Sequence, residues 1–162
     1  MGPFAGNADS AATVRIRGGR GLNLRRDGCL ETEQELSAFG SSLDGNAVRP
    51  TSPLYPNASL INNRRFVERP GLIVQALSEA DVARSLGLAN RHDIRVSIIS
   101  TGHDYDGRNS GNGTLQISLR NLRHLNVSFG SPTPVLTAGP GCTWGQVFEF
   151  VNQEAPGWVA LG

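Results

Sequence analysis

Cysteine is scarce in this sequence, and neither of its two residues, Cys29 and Cys142, stands in a metal-ligand spacing. Two thiols so far apart exclude a disulfide-built scaffold. No apolar run approaches the roughly 20 residues that a membrane-spanning helix needs, so no spanning segment is expected. Residues 1–20 hold no continuous apolar stretch of the kind a secretory signal carries, and none is expected there. Met1-Gly2 is not followed by Ser or Thr at position 6, which leaves myristoylation without its motif. Neither sign of charge is in excess: 15 Lys and Arg stand against 14 Asp and Glu, for a net charge of +1. That balance gives no basis for a nucleic-acid partner or an acidic membrane surface. A metal centre is not expected either, because His92 and His124 lack partners at ligand spacing.

What is present fits a globular chain. Over 162 residues, 38% are hydrophobic and 18% charged, enough for one domain with a real core. Gly at 20 residues and Pro at 9 point to many tight turns between short strands. Three stretches, Asn57-Ala58-Ser59, Asn112-Gly113-Thr114 and Asn126-Val127-Ser128, match the glycosylation sequon. Sequons alone do not fix a compartment, which stays open.

Residues 1–28, rich in Gly, Ala, Asn and Arg with little periodicity, read as a flexible leader or a misassigned gene start. Residues 29–68 read as an extension: a short helix from Cys29 to Phe39 with Leu30, Leu36 and Phe39 on its apolar face, then a loop. Pro50, Pro53 and Pro56 are expected to break any regular element there. The organised part is expected over residues 69–162. Leu72-Ile73-Val74 has the look of a buried strand, and Ser78-Glu79-Ala80-Asp81 has the Ser-x-x-acid form of a capping box. The helix it announces runs to about Arg91, with Val82, Leu86 and Ala89 at helical steps. Arg95 to Ile99 and Leu115 to Leu119 are the next strands. Strand, helix and strand in so short a span form a βαβ signature, so the first two strands should lie parallel.

The pattern returns at Val135-Leu136-Thr137-Ala138, a strand leading into Gly139-Pro140-Gly141. Thr143 and Gln146 form a second capping box. Trp144, Val147, Phe148 and Val151 follow as one apolar stripe, expected to be core. Trp158 to Leu161 reads as the beginning of another strand, and hence of a domain only partly contained in the chain.

The informative turn is Ser100-Thr101-Gly102-His103-Asp104-Tyr105-Asp106-Gly107. A small, Gly-containing turn straight after a buried strand offers successive backbone N–H groups, the concavity that binds phosphates and other anions. Gly102 permits close backbone approach or a positive φ, and Ser100 and Thr101 add hydroxyls. The turn is neither a Walker loop nor G-x-G-x-x-G, and an ordinary structural turn is the competing view. His103 by itself reads equally as an exposed histidine or one satisfied by Asp104 or Asp106. Spacing leaves the function undecided.

As a string, Gly102-His103-Asp104-Tyr105-Asp106-Gly107 resembles the Gly-His-Asp-Tyr-x-Gly segment of berberine bridge enzyme-like FAD-linked oxidases, in the vanillyl-alcohol oxidase superfamily. Asn62-Asn63-Arg64 before Arg69-Pro70, and the strands and helix at Ile73, Ser78–Arg91 and Val96, follow in that family's order. Ala138-Gly139-Pro140-Gly141-x-x-Trp144-Gly145-x-Val147-Phe148 is similar to a second family segment, and Cys29-Leu30 to the pair opening its mature region. The resemblance covers roughly residues 29–162.

That resemblance implies an α+β fold: the N-terminal part of a PCMH-type FAD-binding domain with small βαβ units, incomplete in this chain. It implies FAD as cofactor, held by Ser100, Thr101, Gly102, His103, Asp104 and Gly107, with His103 bonded to the flavin 8α-methyl carbon. The chemistry is intelligible, since a neutral imidazole nitrogen is a competent nucleophile near neutral pH. The full-length enzyme would oxidise an alcohol, sugar or amine-type carbon and pass the electrons to oxygen. Its catalytic base, a tyrosine or glutamate in the family, is expected beyond Gly162, and neither Tyr55 nor Tyr105 matches it. The chain alone is then expected to be inactive. Family members are often secreted.

Two departures stand out. Ile99 occupies a position where the family usually has Arg or Lys, so one cationic contact is absent. Cys142 does not match the family's second flavin tether and is read as packing near a helix start. Cys29 resembles a family cysteine that forms a disulfide, and a Cys29–Cys142 bridge is left open. The alternative function is a truncated, non-catalytic paralogue or mispredicted product that at most binds a nucleotide. A purely structural or partner-binding module has only the Gly/Arg leader in its favour.

Overall fold

The computed structural model describes residues 29–130 and 133–161. The leader read over residues 1–28 lies outside the described residues. Helix α1 (Cys29–Ser42) turns the half-buried Leu36 and the buried Phe39 inward, and runs past its expected end at Phe39. Strand β1 (Asn46–Val48) follows. The proline cluster does not remove all regular structure: α2 (Tyr55–Ala58) forms a single turn. Pro56 sits in its first turn, where a missing N–H costs nothing and the fixed φ suits a helix.

Strands β2 (Leu72–Gln75), β3 (Val96–Ile99) and β4 (Leu115–Ser118) stand where expected. Between the first two runs α3 (Glu79–Arg91), capped by Ser78, whose backbone is extended and whose Oγ accepts the Asp81 N–H. The sheet order is β1-β2-β4-β3, with β1 antiparallel to β2 and the other pairs parallel. Strands β2 and β3 are therefore parallel, as read, but β4 is inserted between them. The central pair is buried along almost its whole length, as suits a parallel sheet covered on both faces.

Alternation along the strands sorts the core. Leu72, Val74, Leu115 and Ile117 meet Phe39 of α1 and Leu88 of α3, while Ile73 faces Val48 and Ala58. Full burial of each such aliphatic side chain is worth about 1.5–3 kcal/mol. On α3 the buried residues are Asp81, Ser85, Leu88 and Ala89, with Leu86 46% exposed, so the inward face is rotated from the expected stripe. In register with Ile73 are Gln116 and Ser97, which makes the second sheet face partly polar. It holds the following loop: Gln116 Nε2 donates to the Asn109 carbonyl at 2.8 Å, and the Ser97 and Thr114 hydroxyls pair at 2.9 Å.

Strands β5 (Leu125–Ser128) and β6 (Val135–Ala138) make an antiparallel pair. Helix α4 (Trp144–Glu154) packs on it through Val147 and Val151, and Ala155 just beyond its end joins them, against Leu125, Val127, Leu136 and Cys142. Its capping box is complete: the Gln146 N–H donates to Thr143 Oγ1, and the Thr143 N–H to Gln146 Oε1. The expected core stripe is split, however. Trp144 and Phe148 are about half exposed and stack on each other with ring centroids 5.6 Å apart. Trp158 to Leu161 form no strand, and Val159 and Leu161 are almost fully exposed, because no neighbouring strand among the described residues pairs with them. Cys142 is a free thiol among the described residues, and the Cys29 side chain of the bridge left open lies outside them.

Candidate flavin-binding site

The turn 100–107 leaves the C-terminal end of β3, beside the end of β4, where a parallel sheet places its ligands. Gly102 is buried with φ at +87°, a conformation that an L side chain rarely adopts. Its carbonyl accepts the Asn62 N–H at 3.2 Å. Among the described residues no acceptor takes the N–H groups of Thr101, Gly102 or His103. Three consecutive free donors at a glycine turn are the backbone groups from which anion sites are built.

Each residue expected at the site has a definite place. Ser100 Oγ donates to the Pro140 carbonyl, tying the turn to the Gly139-Pro140-Gly141 segment. Thr101 is half-buried and His103 exposed. Asp104 is occupied: it accepts the Arg108 N–H at 2.6 Å and its guanidinium at 3.0 Å. Burial pushes the Asp104 carboxyl up, but the bonds from Arg108 outweigh it and hold the pKa below the ordinary carboxylate value. Asp106 also pairs with Arg108, at 3.3 Å. Neither carboxylate pairs with His103, whose imidazole has no ion-pair partner among the described residues. Asp104 thus braces the turn. The backbone at Gly107 lies against the Phe66 ring, closing the loop on the segment after Asn63, whose Nδ2 donates to the Tyr105 carbonyl at 2.8 Å.

Parts of three segments that carried the resemblance meet at this sheet end: Asn62 and Asn63 bond to the 102–107 turn, and Pro140 to Ser100 beside it. Gly141 packs so tightly that a Cβ there would lie 2.6 Å from the Leu119 carbonyl and 2.7 Å from that of Arg120. One residue was not anticipated. Arg120, at the end of β4, is half-buried and reaches Gly102: a Cβ built on that glycine would be 3.0 Å from Arg120 Nη2. Its guanidinium donates to the Leu60 carbonyl and meets no carboxylate among the described residues, and burial lowers its pKa. Ile99, fully buried, offers no charge, in keeping with the departure read from the sequence.

Residues 70–158, more than half of the chain, match the FAD binding domain family. The chain belongs to that family. A relative is the FAD-linked oxidoreductase orf1 of Neocamarosporium betae, 28% identical over 154 residues, covering 88% of this chain and 26% of the relative. Among solved structures, the carbohydrate oxidase from Microdochium nivale superposes with a TM-score of 0.66 at 22% identity, over 78% of this chain and 27% of its own. Physcomitrella patens BBE-like 1 superposes with a TM-score of 0.65 at 18% identity, over 73% and 26% respectively. These likenesses bear out the expected fold, part of a PCMH-type FAD-binding domain, with FAD as the family's cofactor. The chain spans about a quarter of the length of these proteins.

Proposed function

We propose that this chain is the flavin-holding part of an FAD-linked oxidoreductase, with the turn 100–103 cradling the FAD diphosphate and His103 as the covalent tether. The residues present fit that cofactor. Free N–H groups at Thr101, Gly102 and His103 suit phosphate oxygens, the positive φ of Gly102 keeps the turn open to close approach, and a half-buried cation stands behind it. The observation that carries the proposal is the imidazole of His103, exposed and unpaired directly after the unpaired N–H groups.

His103 would supply one imidazole nitrogen to the flavin 8α-methyl carbon. In that bond the imidazole nitrogen would replace one hydrogen of the methyl group, with oxygen as the two-electron oxidant. Asp104, paired with Arg108, keeps the turn in shape and leaves the imidazole without a carboxylate partner among the described residues. Ser100 ties the turn to the 139–141 segment. Bound FAD supplies two-electron chemistry, accepting hydride from a small alcohol, sugar or amine-type carbon and passing the electrons to oxygen.

Titrating FAD into the chain while following flavin fluorescence tests the holding role. Saturable quenching that inorganic pyrophosphate reverses is expected, and no binding would reject the proposal. A second reading, a nucleotide-binding chain without turnover, draws on its two tyrosines. Tyr55 OH donates to the Pro70 carbonyl and Tyr105 is a surface residue of the turn, so neither is placed as a base. Bound flavin that no alcohol, sugar or amine reduces would favour it.

A further inference from the structure

A guanidinium removed from water without a carboxylate partner is costly, and an incoming anion relieves that cost. The other described arginines avoid it, by exposure to water or by pairing. Arg49, Arg84, Arg91 and Arg108 each lie within 4 Å of a carboxylate oxygen. Arg120 does not. It is half-buried at the end of β4, anchored from one side by the Leu60 carbonyl, with Nη2 against the face of Gly102. A Cβ built on Gly102, the middle residue of the three with free N–H groups, would lie 3.0 Å from Arg120 Nη2 and 3.5 Å from the uncharged side chain of Ile99.

We propose that Arg120 is a diphosphate-binding residue, completing from β4 the anion cradle whose N–H groups come from the turn after β3. The inference rests on the flavin-holding role proposed above and adds the residue that gives the cradle its charge. Guanidinium geometry suits two phosphate oxygens at once, and the Leu60 carbonyl fixes its orientation before the ligand arrives. Burial in the turn makes the attraction less screened than that of a surface arginine.

The test uses the 162-residue chain in a His103→Ala background, so that all flavin binding is reversible. FAD affinity is read by fluorescence and inorganic pyrophosphate affinity by calorimetry, for the parent, Arg120→Met and Arg120→Lys. Loss of a hydrogen-bonded charge predicts roughly 10- to 100-fold weaker binding of both ligands in R120M, with R120K between it and the parent. The parent's affinity should fall as salt rises and that of R120M should fall less. A merely structural arginine would not give a charge-dependent series. FAD binding equal in parent and R120M overturns this inference and leaves the flavin-holding role standing. Pyrophosphate binding lost in R120M, with no FAD binding by the parent, keeps the anion site and rejects the flavin. Binding of neither ligand by the parent overturns both. Should R120M fail to fold, R120K and the salt dependence of the parent decide, and salt-independent binding overturns the assignment.

Discussion

Replacing Asp81 with asparagine removes one negative charge from a side chain with no solvent exposure, at the point where α1, β1 and α3 meet. Oδ1 accepts from the Asp44 N–H at 2.9 Å and from Arg84 at 3.2 Å, while Oδ2 accepts from the N–H groups of Gly45 and Leu77, each at 3.0 Å. An Asn amide can turn its oxygen to only one of these pairs and must point its NH2 at donors of the other. At least one backbone donor is left without a partner, and the remaining bonds lose their charge assistance. At about 1.5–3 kcal/mol for a hydrogen bond to a charged group, the net loss is about 3–5 kcal/mol. Burial pushes the Asp81 carboxyl up, but the N–H groups of Leu77, Asp44 and Gly45, with Arg84, more than reverse it and hold it below its ordinary 3.8. A depressed native pKa contributes stability above the unfolded value and loses it as pH falls through the native one. Urea unfolding of parent and D81N should therefore differ by that amount at pH 7, and the gap should narrow as pH drops below 3.8. A gap under about 1 kcal/mol at pH 7, or one indifferent to pH, would refute the reasoning.

Three further outcomes follow from single contacts. Gly102→Ala forces an L residue to φ +87° and should cost about 1–3 kcal/mol in urea unfolding, with weaker FAD binding; unchanged stability would deny the positive φ. Gly141→Ala drives a Cβ into two backbone carbonyls that cannot swing aside, so about 1–3 kcal/mol should be lost and the 139–141 segment displaced, read as weakened FAD quenching. Thr143→Ala removes half of the α4 capping box and should cost about 0.5–2 kcal/mol, measurable by thermal unfolding; no change would mean the cap is idle.

Local signals were legible in the sequence and remote ones were not. Ser78 and Thr143 announce helix starts because a cap is a four-residue event; both accept the N–H three residues on, but only Thr143 completes the capping box read at each. Asp81 shows in the sequence as the acid of a capping box, but its carboxylate turns to Asp44 and Gly45, partners that no local spacing indicates. Strand β1 is three residues long with no alternation to betray it, whereas Leu125-Asn126-Val127-Ser128 does alternate and its pattern was there to be found. An apolar run such as Trp158 to Leu161 states a preference for strand without supplying the neighbour that would pair with it. The turn at 100–107 is legible because its donors are consecutive. Arg120 is not, since its approach to Gly102 exists only because β4 is inserted beside β3.

The most direct test of the central claim is acid precipitation of the chain after incubation with FAD and oxygen, followed by flavin fluorescence of the denatured protein. A covalent tether at His103 predicts fluorescence that stays with the protein and disappears in His103→Ala, while that variant still binds FAD reversibly. Release of all flavin from the unmutated chain into the acid supernatant would contradict the account.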